Sequence, residues 1–150
     1  MTYSVEIERQ LLAGLIKYPH KYSDISTLTN SDDFYSEDSV VHKTIFNTLA
    51  QAIEQGETVN EVTLAHRVSS LGISFEDNIT IGDYINSLGI MKLSEEFIIH
   101  AAKELKKMAI RRQLASCGRK IAKTMESLDS SESFSDIISK ADKLFNEQIN

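Results

Sequence analysis

Apolar residues recur at three- and four-residue intervals along most of the chain, the spacing that places them on one side of a helix. Ser4 predicts an N-cap for a first helix with Glu6 and Glu8 early and Val5, Ile7, Leu11, Leu12, Leu15 and Ile16 as its buried stripe, stopping before Pro19. Ile25 and Leu28 predict a short buried helix, and the turn-rich segment Thr29-Asn30-Ser31-Asp32-Asp33 follows it. Phe34 and Tyr35 read as core plugs on an extended stretch. The next helix starts near Ser36 or Ser39, carries Val41, Ile45, Leu49, Ala52 and Ile53 on one face, and ends at Gly56 as its C′ residue. Asn60 caps a helix with Val62, Leu64, Ala65, Val68 and Leu71, closed by Gly72. Thr80 and Asp83 form a capping box opening a short helix that runs to Gly89. Strict alternation is nowhere sustained; residues 73–79 could form a short extended piece, with nothing nearby to pair with.

From Ser94 onward the pattern is two helices. Ser94 with Glu95 and Glu96 reads as a capped, acidic first turn, and the helix continues without proline to about Leu128, roughly 50 Å at the α-helical rise. Ser133 and Asp136 form another capping box after a short polar loop, and Ile137, Ile138, Ala141, Leu144, Phe145 and Ile149 follow at helical spacing. A short loop between amphipathic helices makes them antiparallel neighbours. The expected architecture is all-α: a helical head over residues 1–92 and a long helical hairpin over 93–150 that folds with it as one unit.

Along the long helix, Ile98, Ala101, Leu105 and Met108 form one stripe, and Ile110, Leu114, Cys117, Ile121, Met125 and Leu128 form another, displaced around the axis. The second helix can cover only one face of the distal part. Two helices alone bury little core, so the pattern predicts self-association through residues about 105–145, with Leu105, Ile110, Leu114, Ile121, Met125, Ile137, Leu144 and Phe145 as the contact set.

Composition fits one ordinary domain: 150 residues, 41% hydrophobic and 25% charged. The apolar runs are too short to span a bilayer and the N-terminus lacks signal-peptide order, so the cytoplasm is the expected location. Cys117, the only cysteine, reads as a small packed residue. The net charge of −6 argues against nucleic-acid binding by the domain as a whole. The charge is unevenly placed. Residues 1–100 hold 6 basic against 15 acidic residues, a balance of −9, whereas residues 101–150 hold 10 against 7, a balance of +3. Lys103, Lys107, Arg111, Arg112, Arg119, Lys120 and Lys123, with Lys106, would form a basic face, either merely solvated or directed at an acidic partner.

Signs of catalysis are missing. The chain has no Gly-x-x-x-x-Gly-Lys-Ser/Thr loop for phosphates, and no nucleophile elbow surrounds a serine. His20, His42, His66 and His100 lie far apart without metal-ligand spacing. The expectation is a chain that is not an enzyme on its own and binds no cofactor or metal.

The segment 33–64 holds the most distinctive spacing: Asp33-Phe34-Tyr35, then His42-x-x-Ile45-Phe46, then Gly56-Glu57-x-Val59-Asn60-x-Val62-Thr63. It resembles the N-terminal domain of DnaB-type replicative DNA helicases, with its acidic-Phe-Tyr plug, His-x-x-Ile-Phe helix and Gly-x-Pro-Val-Asp-x-Val-Thr turn. Glu6 to Ile16, Asp83-Tyr84-Ile85, Arg111-Arg112-Gln113-Leu114 and Ile137-Ile138-x-x-Ala141 extend the resemblance over nearly the whole chain in order. A longer Tyr35–His42 interval, Thr58 and Asn60 at the usual Pro and Asp positions, and the missing Pro-x-x-x-Asn turn mark a divergent member, such as one encoded by a phage or mobile element. The resemblance implies a collar domain. In such helicases it precedes a RecA-like ATPase domain that binds ATP and Mg, pairs through its hairpin into a trimer of dimers on a hexameric ring, and receives primase or a helicase loader. The chain stops where the linker would start, so the resemblance implies an isolated collar domain with the ATPase domain absent from this chain. Two other readings stand beside this one: a freestanding adaptor or decoy engaging a host helicase or primase, and a nucleic-acid module using the basic face.

Overall fold

A computed structural model describes residues 2–73 and 78–149. Its helices are α1 (Val5–Lys17), α2 (Tyr22–Ile25), α3 (Val41–Glu54), α4 (Glu61–Ser70), α5 (Ile81–Gly89), α6 (Phe97–Ser127) and α7 (Phe134–Ile149), with 3-10 turns at Pro19–Lys21 and Ser31–Asp33. No strand occurs among the described residues. The extended piece considered for 73–79 falls mostly on residues 74–77, outside the described residues.

The helix starts are set locally, as the sequence reading expects. Ser4 Oγ accepts the Ile7 N–H, Asn60 Oδ1 the Thr63 N–H and Thr80 Oγ1 the Asp83 N–H. Each bond satisfies an amide that has no partner within its own helix. Gly56 and Gly72 follow α3 and α4 with φ of 73° and 75°, the left-handed conformation that lets the chain turn out of a helix without a Cβ clash. Two starts are later than expected. α3 begins at Val41, because Ser39 Oγ accepts the Val41 N–H. α6 begins at Phe97: Ser94 serves through its carbonyl, which accepts the Phe97 N–H in a turn, and not as a side-chain cap.

The chain divides into two compact units, one of Tyr3–Met108 and one of Ala109–Asn150 with Thr2. In the first, α1 packs on α3 and α5, and α4 packs on α3 and α5. The core is aliphatic, built from Leu11, Leu12, Leu15, Ile25, Ile45, Leu49, Ile85 and Leu88, with Phe34 set against Phe46 at 5.0 Å between ring centroids. The first turns of α6 belong to this core: Ile98, Ala101, Ala102 and Leu105 are buried in it. Gly14 is what lets α1 approach them. A Cβ there would lie 2.5 Å from Ile98 Cγ1, so the helices meet at a position where only hydrogen fits.

The second unit comprises the rest of α6 and all of α7. Ala109 and Cys117 are buried in it, and the Cys117 thiol lies 4.0 Å from the Leu144 carbonyl, in keeping with the cysteine as packing material. Ser133 Oγ accepts the Asp136 N–H and starts α7, and Lys140 pairs with Glu132 across the turn at 2.6 Å.

Candidate protein-interaction surfaces

The segment that carried the resemblance folds around a buried polar chain. Glu8 on α1, at 2% exposure, sits on the stripe that also presents Leu11, Leu12 and Leu15. Its carboxylate is held twice: one oxygen accepts from His42 Nδ1 at 2.8 Å, the other from the Tyr35 N–H at 2.9 Å. A carboxylate only accepts, so Nδ1 carries the proton; in the neutral imidazole Nε2 then accepts from the Tyr84 hydroxyl, with which it is in contact. The His42 and Tyr84 rings are stacked, 5.7 Å apart at 20°. Burial pushes the Tyr84 phenol up to about 12, with the Glu8 charge acting the same way and Arg9 against it. Three helices and the Phe34–Tyr35 segment are thereby joined by groups that each need the others.

The other motif residues are structural in a plainer way. Phe34, Ile45 and Phe46 are core. Val59 packs against the core from the loop before α4, Asn60 is the α4 cap, and Thr63, exposed, supplies the capped amide. Gly56 makes the turn. Tyr35 departs from the expected plug: it is half-exposed, its hydroxyl donates to Glu37 at 3.2 Å, and its ring stacks on Tyr3 at 3.8 Å and 5°. The sequence reading gives Glu8 as an early acid of the first helix and Tyr84 as part of the family spacing, without the buried polar role of either. A carboxylate four positions before Leu12 and seven before Leu15 was the available signal, because it falls on a buried face.

The proposed contact set on the hairpin is divided by the structure. Leu105 is 2% exposed in the core of the first unit, so it is withdrawn from the contact set. Its side of α6 is already covered by the other helices of that unit. In the second unit Ile110 and Leu114 are exposed at 42% and 46%, and Phe145 at 45%, whereas Ile121, Met125, Ile137 and Leu144 are half-buried between α6 and α7. Phe134 and Ile138 add two further exposed apolar side chains, at 90% and 62%.

The cations of α6 do not share one face. Lys103, Lys107 and Arg111 follow one another at four-residue intervals, while Arg112, Arg119 and Lys123 fall on the other side of a regular helix and Lys120 lies between. Most are exposed; Arg112 is half-buried and donates to the Thr2 carbonyl at 2.7 Å. Lys106 is drawn to Asp33, both carboxylate oxygens lying 3.3 Å from Nζ. Among the described residues no cluster of His, Cys, Asp and Glu has metal-binding geometry, and no helix is long and apolar enough to cross a membrane.

Comparison with known proteins places this arrangement. The chain is 24% identical over 141 residues to the replicative DNA helicase DnaB of Pasteurella multocida, covering 94% of this chain and 29% of that protein. It therefore spans less than a third of the length of this relative. In fold it is similar to the crystal structure of the N-terminal domain of DnaB helicase from Mycobacterium tuberculosis, with a TM-score of 0.79, 15% identity and 96% of each chain covered. The family described as DnaB-like helicase N terminal domain matches residues 1–107, which take in the buried polar chain and every residue from Phe34 to Thr63 discussed above. The chain belongs to the DnaB-like helicase N-terminal domain family.

Proposed function

We propose that this domain is the collar module of a replicative DNA helicase, acting in the cytoplasm, where it self-associates through its helical hairpin and offers a docking surface to primase or a helicase loader. ATP, Mg and strand separation belong, in this reading, to a RecA-like ATPase domain of the same helicase. The observation that carries it is the set of uncovered apolar side chains in the second unit, Ile110, Leu114, Phe134, Ile138, Phe145 and Ile149. Six large apolar groups on two helices exceed what the pair can bury by itself, and a second hairpin is the natural cover. The first unit, by contrast, encloses a large aliphatic and aromatic core of its own. Division of the α6 cations between two sides of the helix argues against a single phosphate-tracking groove, so the nucleic-acid reading gains no support.

Light scattering across concentration tests the pairing. The expected result is a dimer or larger species at micromolar concentration that Leu114→Asp converts to monomer. A strict monomer at high micromolar concentration, unaffected by Leu114→Asp, would overturn it.

A further inference from the structure

The first unit contains a cavity of about 220 Å³. That is smaller than the roughly 300 Å³ at which pockets for nucleotides and other free small molecules begin, and it suits a single inserted side chain. Its sides are apolar, formed by Val5, Val41 and the stacked rings of Tyr3 and Tyr35. Val5 is 53% exposed although it opens the apolar stripe of α1, so part of this lining has no cover from the domain itself. The inner end is the buried polar chain of Glu8, His42 and Tyr84, and Asp38 and Ser39 complete the lining.

The charge around this cavity is mainly negative. Glu8 and Asp38 line it, Glu37 holds the Tyr35 hydroxyl, and Glu6 stands one residue along α1 from Val5. Against them stands the single cation Arg9, which pairs with Glu6 at 3.4 Å and bonds the Tyr84 hydroxyl at the inner end, leaving Asp38 at the rim without a cationic partner among the described contacts. The field is felt by the phenol of Tyr35, which is raised by burial first and then by its bond to Glu37 and the charges of Asp38 and Glu37. A phosphate would be repelled here. The guest that fits is a cation on an apolar stem.

We propose that this cavity is a socket for an arginine side chain presented by a partner protein. Arginine is favoured over lysine by the walls: a planar, weakly hydrated guanidinium lies flat against tyrosine rings and can meet the Asp38 carboxylate through two N–H donors, whereas an ammonium keeps its water. The methylene stem lies along Val5 and Val41. The inference rests on the docking reading above for the existence of a partner, and it assigns that partner a chemical feature and a seat.

Titrating the full chain with N-acetyl-arginine methylamide and following its amide and aromatic NMR signals tests the socket. Saturable shifts confined to Tyr3, Val5, Tyr35, Asp38, His42 and Tyr84 are expected, at millimolar affinity. Asp38 is exposed and makes no fold-holding bond among the described contacts, so Asp38→Asn leaves the fold intact and weakens binding at least about fivefold, the loss of a charge-assisted pair. The citrulline and lysine counterparts bind more weakly than arginine. Absence of saturable shifts, equal shifts from citrulline or lysine, or binding that survives Asp38→Asn would each overturn the proposal. The probe requires neither a partner protein nor hairpin pairing, so failure here leaves the pairing result standing, and a strictly monomeric protein leaves the socket standing.

Discussion

Glu8 and His42 are 34 residues apart in sequence and joined by a 2.8 Å hydrogen bond in a mainly apolar interior. The bond works only as part of a set, since the same carboxylate also holds the Tyr35 N–H. Glu8→Ala strips the acceptor from two donors at once, the buried His42 ring and the partly buried Tyr35 N–H. The expected cost is about 2–4 kcal/mol, against less than about 0.5 kcal/mol for Glu6→Ala, whose side chain is mostly solvated. Chemical denaturation of the two variants side by side checks this, and equal midpoints would remove the polar chain from any account of stability.

Alkaline pH should reach the same cluster from its other end. Tyr84 is raised from 10.0 to about 12, first by burial, and Tyr22 is raised to about 12 by burial and by Glu54, which accepts its hydroxyl at 2.6 Å. A phenol whose folded pKa exceeds its unfolded value leaves the native state holding more protons between the two. Its contribution is therefore complete below about pH 10 and lost as pH rises toward 12. Urea midpoints should fall over that interval, and the fall should be shallower in Tyr84→Phe and in Tyr22→Phe.

Gly14 and Gly118 both lie inside helices, where alanine ordinarily gains up to about 1 kcal/mol over glycine. Gly118 has nothing within 4 Å of a built Cβ, so Gly118→Ala should show that gain. At Gly14 the added methyl meets Ile98 Cγ1 at 2.5 Å and Cδ1 at 3.0 Å, and Ile98 is fully buried. Gly14→Ala should lose about 1–3 kcal/mol by overpacking. Opposite shifts in melting temperature are the expected readout; matching shifts would mean that α1 and the start of α6 are less tightly joined.

Asp33 is 2% exposed, accepts from Thr29 Oγ1 at 2.6 Å and from the Asn30 N–H at 3.2 Å, and has Lys106 beside both oxygens. Removing the carboxylate with Asp33→Ala orphans several donors and should cost about 2–3 kcal/mol. Lys106→Met should cost less than about 1 kcal/mol, because the lysine is partly solvated and the carboxylate keeps its nearer partners. Thermal unfolding of the two variants separates these cases.

Much of the architecture was legible because it is local. Ser4, Asn60, Thr80 and Ser133 each cap a helix through an amide three residues ahead, a relation written in the sequence within one turn. The apolar stripe shifts along α6, from Ile98 and Leu105 to Ile110 and Leu114, and the compact units divide between Met108 and Ala109, further along than the start of the hairpin at residue 93. Which stripe stays uncovered was less legible: Leu105 and Leu114 look alike as letters, and only the packing of the other helices buries the first and leaves the second 46% exposed.

The sequence by itself determined an all-α chain, its helix boundaries to within a few residues, the closing pair of helices and the family spacing around Phe34, His42 and Asn60. These follow from helical periodicity and from capping bonds formed within a turn. The tertiary structure decided what Glu8 does, that Tyr35 lies at a cavity instead of in the core, and which carboxylates face Tyr3 and His42. Those outcomes depend on partners 27 to 42 residues away, brought together by apolar burial that carries no label for the polar groups it encloses.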